Sequence, residues 1–382
     1  MTAKHGDGYS RCTNMATLEI AQQTQASRQQ AEDELSRRLI KALLTQTNLS
    51  LGKVAYHAGL TNLHALNRET QRLCNATAGQ IRAVHLDPHG KGKERRSGKA
   101  IAFELPVHGA YDLRWVFNYL AARALQGIET VTNHHYQRRV TPFGLPPVYV
   151  QVFAQNRTLH TRLPLSCGPA QSWLGRVVRL FDLGVDSRAI DRALKKAPAL
   201  RASVVAAPGL RVPGAWDGFE TAVRAVLGQQ VSVARGTELA NRMVDTYGDG
   251  DFPSPLQLMH QEIAELGMPG NRGRAISTMS GWVAEQALTL LEGEDTESFV
   301  QQIACIKGIG PWTQNYMRLR IVKDVDAFPY NDWVVLKQLQ TTPAQALKHA
   351  ESWRPWRAYA LMHIWRLAGL ERERKKSVLN NK

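Results

Sequence analysis

Several classes of protein are excluded by features that are missing from this 382-residue sequence. Its four cysteines lie far apart and form no C-x-x-C pair, so neither a paired-cysteine zinc site nor a four-cysteine iron–sulfur site is present. No run of about 18 uncharged apolar residues is available to span a bilayer. Charged residues interrupt the first twenty positions, which argues against a secretory signal. We therefore predict a protein of the reducing cytoplasm with no membrane partner.

The sequence also has fewer acidic than basic residues. The chain has 48 Lys and Arg residues against 33 Asp and Glu residues, which gives a net charge of +15 and a pI near 9.8. The excess is densest in residues 1–99, where 15 basic residues face 8 acidic ones. A balance this basic indicates a polyanionic partner such as nucleic acid. The alternative is a solvated basic surface with no partner.

Apolar periodicity predicts an α+β protein. Strand-like stretches at 101–105, 148–153 and 159–163 surround a helix near 115–124, and beyond residue 183 the pattern is almost wholly helical, with nine helices predicted between 219 and 369. We predict six segments: a mobile polar leader (1–30), a helix-turn-helix segment (31–86), a basic linker (87–99), an α+β unit (100–182), an α-helical unit (183–370) and a basic tail (371–382).

The segment after the leader has the pattern of a helix-turn-helix. An amphipathic helix comes first, Ser50 follows at the start of a short second helix, and Gly59 provides a tight turn before a third helix that Thr61 can cap. If this segment binds DNA, the third helix is the recognition helix, with Arg68 and Arg72 among its contacts. A three-helix bundle that packs without DNA is the alternative.

A short motif between two predicted helices favours phosphate binding. Gly308 and Gly310 permit a tight hairpin, and Pro311 suits the first position of the helix that follows. The N-terminus of that helix offers N–H groups and a positive dipole end to a DNA phosphate. We predict DNA contacts at Gly308, Ile309, Gly310 and Thr313, although a helix-loop-helix turn with no ligand has the same glycines.

Asp332 follows Gly310 by 22 residues and precedes another predicted helix. It can cap that helix. It can also supply the negative charge that cleavage of a glycosidic bond requires near its cationic, oxocarbenium-like sugar. The two roles are compatible, because a helix N-terminus favours an ionised carboxylate.

The hairpin and this aspartate together resemble the helix-hairpin-helix-Gly/Pro-Asp signature of DNA glycosylases. Within that superfamily, residues 100–370 resemble AlkA-type 3-methyladenine DNA glycosylases, for example at 228–234 and most specifically in the block formed by 353–360 and 363–365. Residues 50–60 resemble the second helix-turn-helix of AraC-type regulators of the Ada kind. The resemblance implies a small mixed α/β, TBP-like subdomain followed by an all-α helix-hairpin-helix glycosylase domain.

The same resemblance implies a site. Asp332 is then the catalytic carboxylate, and Trp312, Tyr316, Trp365 and Tyr119 form the pocket for a base flipped out of the duplex. Alkylated purines are electron-poor and often cationic, so aromatic faces attract them more strongly than undamaged bases.

The family also implies a monovalent cation at the hairpin. Na⁺ or K⁺ would be held by the main-chain carbonyls of Ala304, Ile306 and Ile309 and would bridge to a DNA phosphate, and no other cofactor is expected. Trp353 and Trp356 are expected in the core.

Two positions depart from related patterns. Glycosylases that also nick the strand have a lysine where this chain has Trp312, so we predict a monofunctional enzyme that leaves an abasic site. The AlkA-type wedge that fills the hole left by the flipped base is a leucine, whereas this chain has Gln230. Gln230 is therefore a polar candidate for the wedge.

Two functions follow. The first is excision of alkylated bases of the 3-methyladenine and 7-methylguanine type from duplex DNA in base excision repair, by a monomer in the cytoplasm of a bacterium, associated with the nucleoid. The second is an Ada/AraC-like transcriptional regulator of the alkylation response whose glycosylase-like domain senses damage. Glycosylases for oxidised bases are disfavoured by Trp312 and by the missing iron–sulfur cysteines.

Overall fold

A computed structural model describes residues 29–85, 99–141, 146–156, 158–286 and 295–380. Almost all of the predicted leader (1–30) and of the predicted basic linker (87–99) lies outside the described residues. Within the described ranges the protein is a mixed α+β structure with one five-stranded antiparallel sheet and many helices.

Four helices precede the sheet. The first, α1, covers residues 29–46, and it is followed by α2 (Leu51–His57), α3 (Leu63–Cys74) and α4 (Ala78–His85). Ser50 caps α2 as predicted, since its hydroxyl accepts from Lys53 N, and Gly59 adopts a positive φ of 72° in the turn. The cap of α3 is Asn62 rather than Thr61, because the Asn62 carbonyl oxygen accepts from Ala65 N at 2.9 Å.

The sheet has the strand order β1-β5-β4-β3-β2 with every neighbouring pair antiparallel. Three strands confirm the sequence prediction, whereas β2 and β3 were not predicted. The reason is composition: β2 has three residues, and β3 reads His-Tyr-Gln-Arg-Arg-Val, a polar sequence for a strand. The strands are β1 (Ala100–Leu105), β2 (Glu129–Val131), β3 (His135–Val140), β4 (Val148–Gln155) and β5 (Thr158–Pro164).

Helices make up most of the remaining structure. The nine helices predicted from residue 219 onward are all present. Helices α7 and α8 lie in the stretch beyond residue 183 that was predicted as almost wholly helical, whereas α6 was not predicted. Short 3₁₀ turns occur at Ile263–Leu266 and Glu351–Trp353, and a π-helical turn at Arg318–Val322 extends α14. The helices are α5 (Leu113–Ala121), α6 (Ala170–Phe181), α7 (Ser187–Leu194), α8 (Pro198–Ala206), α9 (Gly218–Leu227), α10 (Val233–Tyr247), α11 (Pro255–Leu258), α12 (Gly270–Gln286), α13 (Asp295–Ile303), α14 (Pro311–Met317), α15 (Trp333–Leu339), α16 (Pro343–Ala350) and α17 (Arg357–Asn380).

Three hydrophobic cores organise these elements. The first contains the sheet, helices α1 to α6 and the residues between them. The second is formed chiefly by α9, α10 and α12 to α14, and the third by α7, α8 and α15 to α17. Trp353 and Trp356 are each only 4% exposed in the third core, which confirms their predicted structural role.

The N-terminal helices share their core with the sheet. Leu43 and Leu44 of α1 are fully buried in the first core. Gln46, at the end of α1, pairs with the backbone of the edge strand β1, because its Nε2 donates to Ala102 O at 2.7 Å and its Oε1 accepts from Ala102 N at 3.0 Å. Helix α1 therefore covers a sheet edge that is otherwise unpaired.

The basic C-terminal segment differs from its prediction as a tail. Helix α17 continues through residues 371–380, where Lys375 Nζ lies 2.8 Å from Glu371 Oε1 one turn earlier. Charged residues with good helix propensity and an i,i+4 ion pair explain the extension. Among the described helices, none has the length and hydropathy to cross a membrane.

Candidate active site and DNA interface

The three cores meet at a cleft of about 670 Å³. Tyr119 comes from the first core, Tyr316 packs on the second, and Trp365 packs between the first and the third. Trp312 and Asp332 also line the cleft. The structure therefore brings together five predicted site residues from three separate helices and a helix cap.

Asp332 is both the N-cap of α15 and a buried carboxylate in this cleft. Its Oδ1 accepts from Val335 N at 3.0 Å, which is the capping bond, and from Trp365 Nε1 at 3.3 Å. Its Oδ2 accepts from Trp312 Nε1 at 2.8 Å. Only 7% of Asp332 is exposed. The predicted helix cap is thus present, and three N–H donors bond the two oxygens of this carboxylate. The catalytic role of Asp332 stays a prediction.

Aromatic rings form one wall of the cleft. Trp312 and Tyr316 stack with their ring centroids 5.1 Å apart and their planes at 16°, and Trp365 is tilted against Tyr316 at 6.5 Å. The spacing of the first two residues along α14 places both rings on one helix face.

Tyr119 lies deeper than the other three. Its hydroxyl is 3.3 Å from the Tyr316 hydroxyl, and Arg320 Nη1 donates to both oxygens, at 2.7 Å for Tyr316. Burial raises the pKa of Tyr119. Burial acts in the same direction on Tyr316, but the guanidinium groups of Arg320 and Arg123 outweigh it and lower the pKa of that hydroxyl.

The predicted hairpin precedes α14. Gly308 has a φ of 105°, and a Cβ there would lie 3.3 Å from Ala275 Cβ, so both conformation and space favour glycine. Gln229 holds the hairpin from the neighbouring turn, because its Nε2 donates to Gly308 O at 2.8 Å and to Thr313 Oγ1 at 2.9 Å. Gly310 is the N-cap of α14.

Two residues predicted as DNA contacts at the hairpin are directed into the protein. Thr313 is 2% exposed and its hydroxyl is bonded to Gln229, and Ile309 is 3% exposed. A contact between DNA and the backbone of the hairpin at these two positions stays a prediction.

The remaining predicted DNA contacts lie apart from the cleft lining. Gln230 is exposed in the turn between α9 and α10 with a left-handed φ of 53°. On α3, Arg68 is exposed, but Arg72 is paired with Asp33 at 2.7 Å and with Glu69 at 2.6 Å. Two carboxylates thus bond the exposed Arg72 guanidinium group, and the DNA contacts of Arg68 and Arg72 stay predictions.

No group of three or more His, Cys, Asp or Glu side chains within the described ranges is arranged to hold a metal ion. The predicted carbonyl ligands are a different kind of site. Ile306 O accepts from Ile309 N at 3.0 Å, and Ile309 O accepts from Gln314 Nε2 at 3.1 Å. Each carbonyl oxygen has a second lone pair, so these bonds are compatible with a cation.

Comparison with known proteins decides the family. Residues 102–217 match the model of the AlkA N-terminal domain. The DNA-3-methyladenine glycosylase 2 of Escherichia coli is 36% identical over 273 residues, which cover 68% of this chain and 95% of that protein. This chain belongs to the AlkA family of DNA glycosylases.

A second AlkA relative covers more of the chain. The probable bifunctional transcriptional activator/DNA repair enzyme AlkA of Mycobacterium tuberculosis is 34% identical over 345 residues, which cover 85% of this chain and 68% of that protein. That share exceeds what residues 100–382 provide, so the match extends into the N-terminal helices.

Solved structures share the AlkA fold at lower identity. The 3-methyladenine DNA glycosylase of Archaeoglobus fulgidus has a TM-score of 0.58 at 17% identity and covers 70% of this chain and 98% of that one. The 8-oxoguanine glycosylase/lyase of Clostridium acetobutylicum in complex with double-stranded DNA has a TM-score of 0.56 at 15% identity and covers 72% and 96%. These likenesses concern the fold alone.

Proposed function

We propose that this AlkA-family protein is a monofunctional DNA glycosylase that releases alkylated bases from duplex DNA and leaves an abasic site. The observation that carries the proposal is the position of Asp332, a buried carboxylate held by three N–H donors beside stacked aromatic rings. The E. coli relative is named for release of 3-methyladenine. We extend that substrate class, together with 7-methylguanine, to this chain.

In the proposed reaction, the aromatic side chains of the cleft bind the base and the carboxylate acts at the sugar. Trp312, Tyr316 and Trp365 stack against a base that has left the duplex, and Asp332 supplies negative charge to the sugar as its glycosidic bond breaks. The base leaves with the bonding electrons, and a water molecule adds to the cationic sugar and loses a proton, which gives the abasic site. Flipping costs least where the base pair is already weakened by damage, so the DNA itself contributes to selectivity.

The absence of strand cleavage is part of the proposal. Within the described part of the chain, no lysine lines the cleft. Lys323 is engaged by Asp182, with Nζ and Oδ1 2.7 Å apart, and Lys307 is exposed outside the lining. Without an amine beside the sugar, no Schiff base forms.

The hairpin and the turn at Gln230 provide the proposed grip on duplex DNA. The backbone at Gly308 and Gly310 contacts a phosphate, and Gln230 inserts where the base was. We propose that Na⁺ or K⁺ on the carbonyls of Ala304, Ile306 and Ile309 bridges to that phosphate. We further propose that the protein acts as a monomer at the bacterial nucleoid.

A regulatory function is the second candidate. One observation favours it: the match to the M. tuberculosis relative, whose name includes a transcriptional activator, extends into the N-terminal helices. Arg68 on α3 is exposed and is, with Arg72, a predicted DNA contact of that helix. A specific promoter footprint that depends on Arg68 would support this function.

Analysis of the bases released from methylated duplex DNA tests the main proposal. We expect 3-methyladenine and 7-methylguanine in the supernatant and intact strands until alkali cleaves the abasic sites. Asp332→Asn should abolish release while retaining DNA binding. If neither base appears, the proposed substrate class is wrong. If the strands are nicked without alkali, the proposed monofunctional mechanism is wrong.

A further inference from the structure

The five-stranded sheet has one buried face and one open face, which we call the outer face. Side chains alternate between the two faces along each strand. One row of paired residues faces the first core, namely Val131, Tyr136, Val152, Thr161 and Phe103. The adjoining, mostly polar row lies on the outer face, namely Thr130, Gln137, Gln151, Arg162 and Ala102. The first, fourth and fifth of these are exposed, so the outer face is accessible to a partner.

One end of the outer face forms a groove of about 640 Å³. Tyr149 and Gln151 of β4 and Arg162 of β5 line this groove from the sheet, and Lys99 lines it from the residue before β1. The prolines at 146 and 147 add an apolar wall beside Tyr149. Tyr149 is 46% exposed, so its ring is available to a ligand.

The groove carries positive charge. Lys99 and Arg162 are both exposed, and no acidic side chain of the described residues lines the groove. Glu104 of β1 is the acidic residue of the outer face within the same part of the chain. Its Oε1 lies 3.5 Å from Arg38 Nη1, so its charge is already paired.

Arg139 of β3 adds a third cation, since it is the cross-strand partner of Tyr149. Its guanidinium group lies near Gly250, where a Cβ would be 3.1 Å from Nη2. The next residue, Asp251, accepts from Thr141 N at 3.1 Å through its Oδ2. We count Arg139 and Asp251 as offsetting each other, so the net positive charge of the groove comes from its other two cations.

Aromatic side chains continue along the outer face from the groove. Phe153 follows Tyr149 by four residues on β4, which places it on the same face about 13 Å away. His160 of β5 stacks on Phe153 with the ring centroids 5.4 Å apart and the planes at 12°. Between the two aromatic positions of β4, Gln151 Nε2 donates to Gln137 Oε1 at 2.7 Å. Aromatic rings on the open face of an antiparallel sheet are suited to stacking with unpaired bases.

We propose that the groove and the adjoining outer face are a binding site for single-stranded DNA. Tyr149 stacks on an unpaired base, and Lys99 and Arg162 bind the phosphates beside it. Bases in a duplex present only their edges to a protein, so a flat ring selects unpaired strands. We choose DNA over RNA because the chain belongs to a family of DNA glycosylases.

This site is separate from the cleft that contains Asp332. Helix α5 packs on the inner face of the sheet and contributes Tyr119 to that cleft, so the outer face is turned away from it. The groove and the cleft share no lining residue. Binding of a single strand is therefore independent of the proposed base excision.

Fluorescence anisotropy with a thymidine oligonucleotide of about 15 nucleotides tests the proposal, because this strand has no damaged base and forms no duplex. We expect Tyr149→Ala to raise the ratio of the Kd for this strand to the Kd for duplex DNA about tenfold, through the loss of one stacked base. Tyr149→Phe keeps the ring and should keep the ratio. Arg162→Ala should also raise the ratio, whereas Arg201→Ala, which removes an exposed arginine of α8 outside both linings, should not.

Three results would overturn the proposal. The first is a Tyr149→Ala ratio within about twofold of wild type. The second is tighter binding of a uridine oligonucleotide of the same length, which would make RNA the ligand. The third is a wild-type dimer that Tyr149→Ala converts to a monomer in light scattering, which would make the outer face an interface between copies. A wild-type protein that releases no alkylated base would overturn the proposed function but not this site.

Photocrosslinking of the wild-type protein provides a second measurement that needs no variant. Iodouracil placed in the same strand reacts under light with an aromatic side chain that stacks on it. We expect the crosslinked peptide to contain Tyr149. Crosslinks confined to Trp312, Tyr316 or Trp365 would place the single strand in the other cleft and overturn the proposal.

Discussion

At the scale of single residues, the site depends on a carboxylate whose two oxygens have different partners. Oδ1 of Asp332 has two N–H donors, Val335 N and Trp365 Nε1, whereas Trp312 Nε1 is the donor to Oδ2. The indole groups of Trp312 and Trp365 therefore do more than line the cleft, because each also holds the Asp332 carboxylate through a hydrogen bond. From the sequence, Trp312 and Trp365 were predicted only as part of the pocket for a flipped base.

This difference predicts unequal effects for two matched substitutions. Trp312→Phe keeps an aromatic ring against Tyr316 but removes the 2.8 Å hydrogen bond to Asp332 Oδ2. A hydrogen bond to a charged group contributes ~1.5–3 kcal/mol, so we expect kcat to fall about tenfold to a hundredfold. Trp365→Phe removes a longer, 3.3 Å bond to an oxygen that retains its capping donor, so the loss should be smaller. Single-turnover base release with a DNA-binding control measures both. Equal losses would show that stacking, rather than carboxylate positioning, dominates.

The sequence could predict residues whose roles are local. The helix caps at Ser50 and Asp332 and the turn at Gly308 could be predicted, because capping and turn formation depend on a few neighbouring positions. Arg123 and Arg320 were not selected as site residues, because nothing in their own segments shows that they meet over the Tyr119 and Tyr316 rings. Their signal is long-range, since Tyr119 and Arg320 are 201 positions apart.

At the scale of elements, strand β3 and helix α9 are joined by a buried ionic contact. Arg138 of β3 donates to both Glu129 of β2 and Glu220 of α9, so it links the sheet to the helix that precedes the Gln230 turn. The same contact explains why β3 was not predicted. From the sequence alone, an arginine in a strand predicts an exposed position, because its acidic partner 82 positions later cannot be identified.

Removing one member of this contact should destabilise the fold in a pH-dependent way. Burial acts to raise the pKa of Glu220, but Arg138 and Arg224 outweigh it and hold that pKa below its usual range. The stabilisation is therefore present above about pH 4.3, the pKa of an unfolded glutamate, and is lost as the pH falls through the folded value. We expect Glu220→Gln to lower the free energy of unfolding by about 3 to 5 kcal/mol at pH 7. The deficit should shrink at acidic pH.

Urea unfolding at pH 7 and at progressively lower pH checks this prediction. Glu238→Gln is a matched control, because Glu238 also pairs with two arginines, Arg235 and Arg242, but at the surface. Its midpoint should stay close to wild type. A Glu220→Gln deficit that is constant across the pH range would contradict the role of the ionised carboxylate.

At the scale of the whole molecule, the N-terminal helices are packed into the protein that they precede. The sequence predicts a helix-turn-helix segment in the most basic part of the chain, and Leu43 and Leu44 of that segment lie in the same core as the sheet. Arg38 Nη1 also donates to Glu104 O of β1 at 3.0 Å. Amphipathic periodicity revealed that α1 buries one face, but it does not indicate which partner covers that face.

Deletion of residues 1–98 should therefore destabilise the rest of the protein. It exposes the apolar surface under α1 and the unpaired edge of β1 at Ala102, so we expect the thermal midpoint to fall by at least about 5 °C. Arg68→Ala, which changes an exposed side chain of the same segment, should leave the midpoint unchanged. Calorimetry, with base release measured below both midpoints, separates stability from activity. If the truncated protein has the same thermal midpoint as the full chain, the burial of these helices contributes nothing to the stability of the remainder. The helices would then be only a tether.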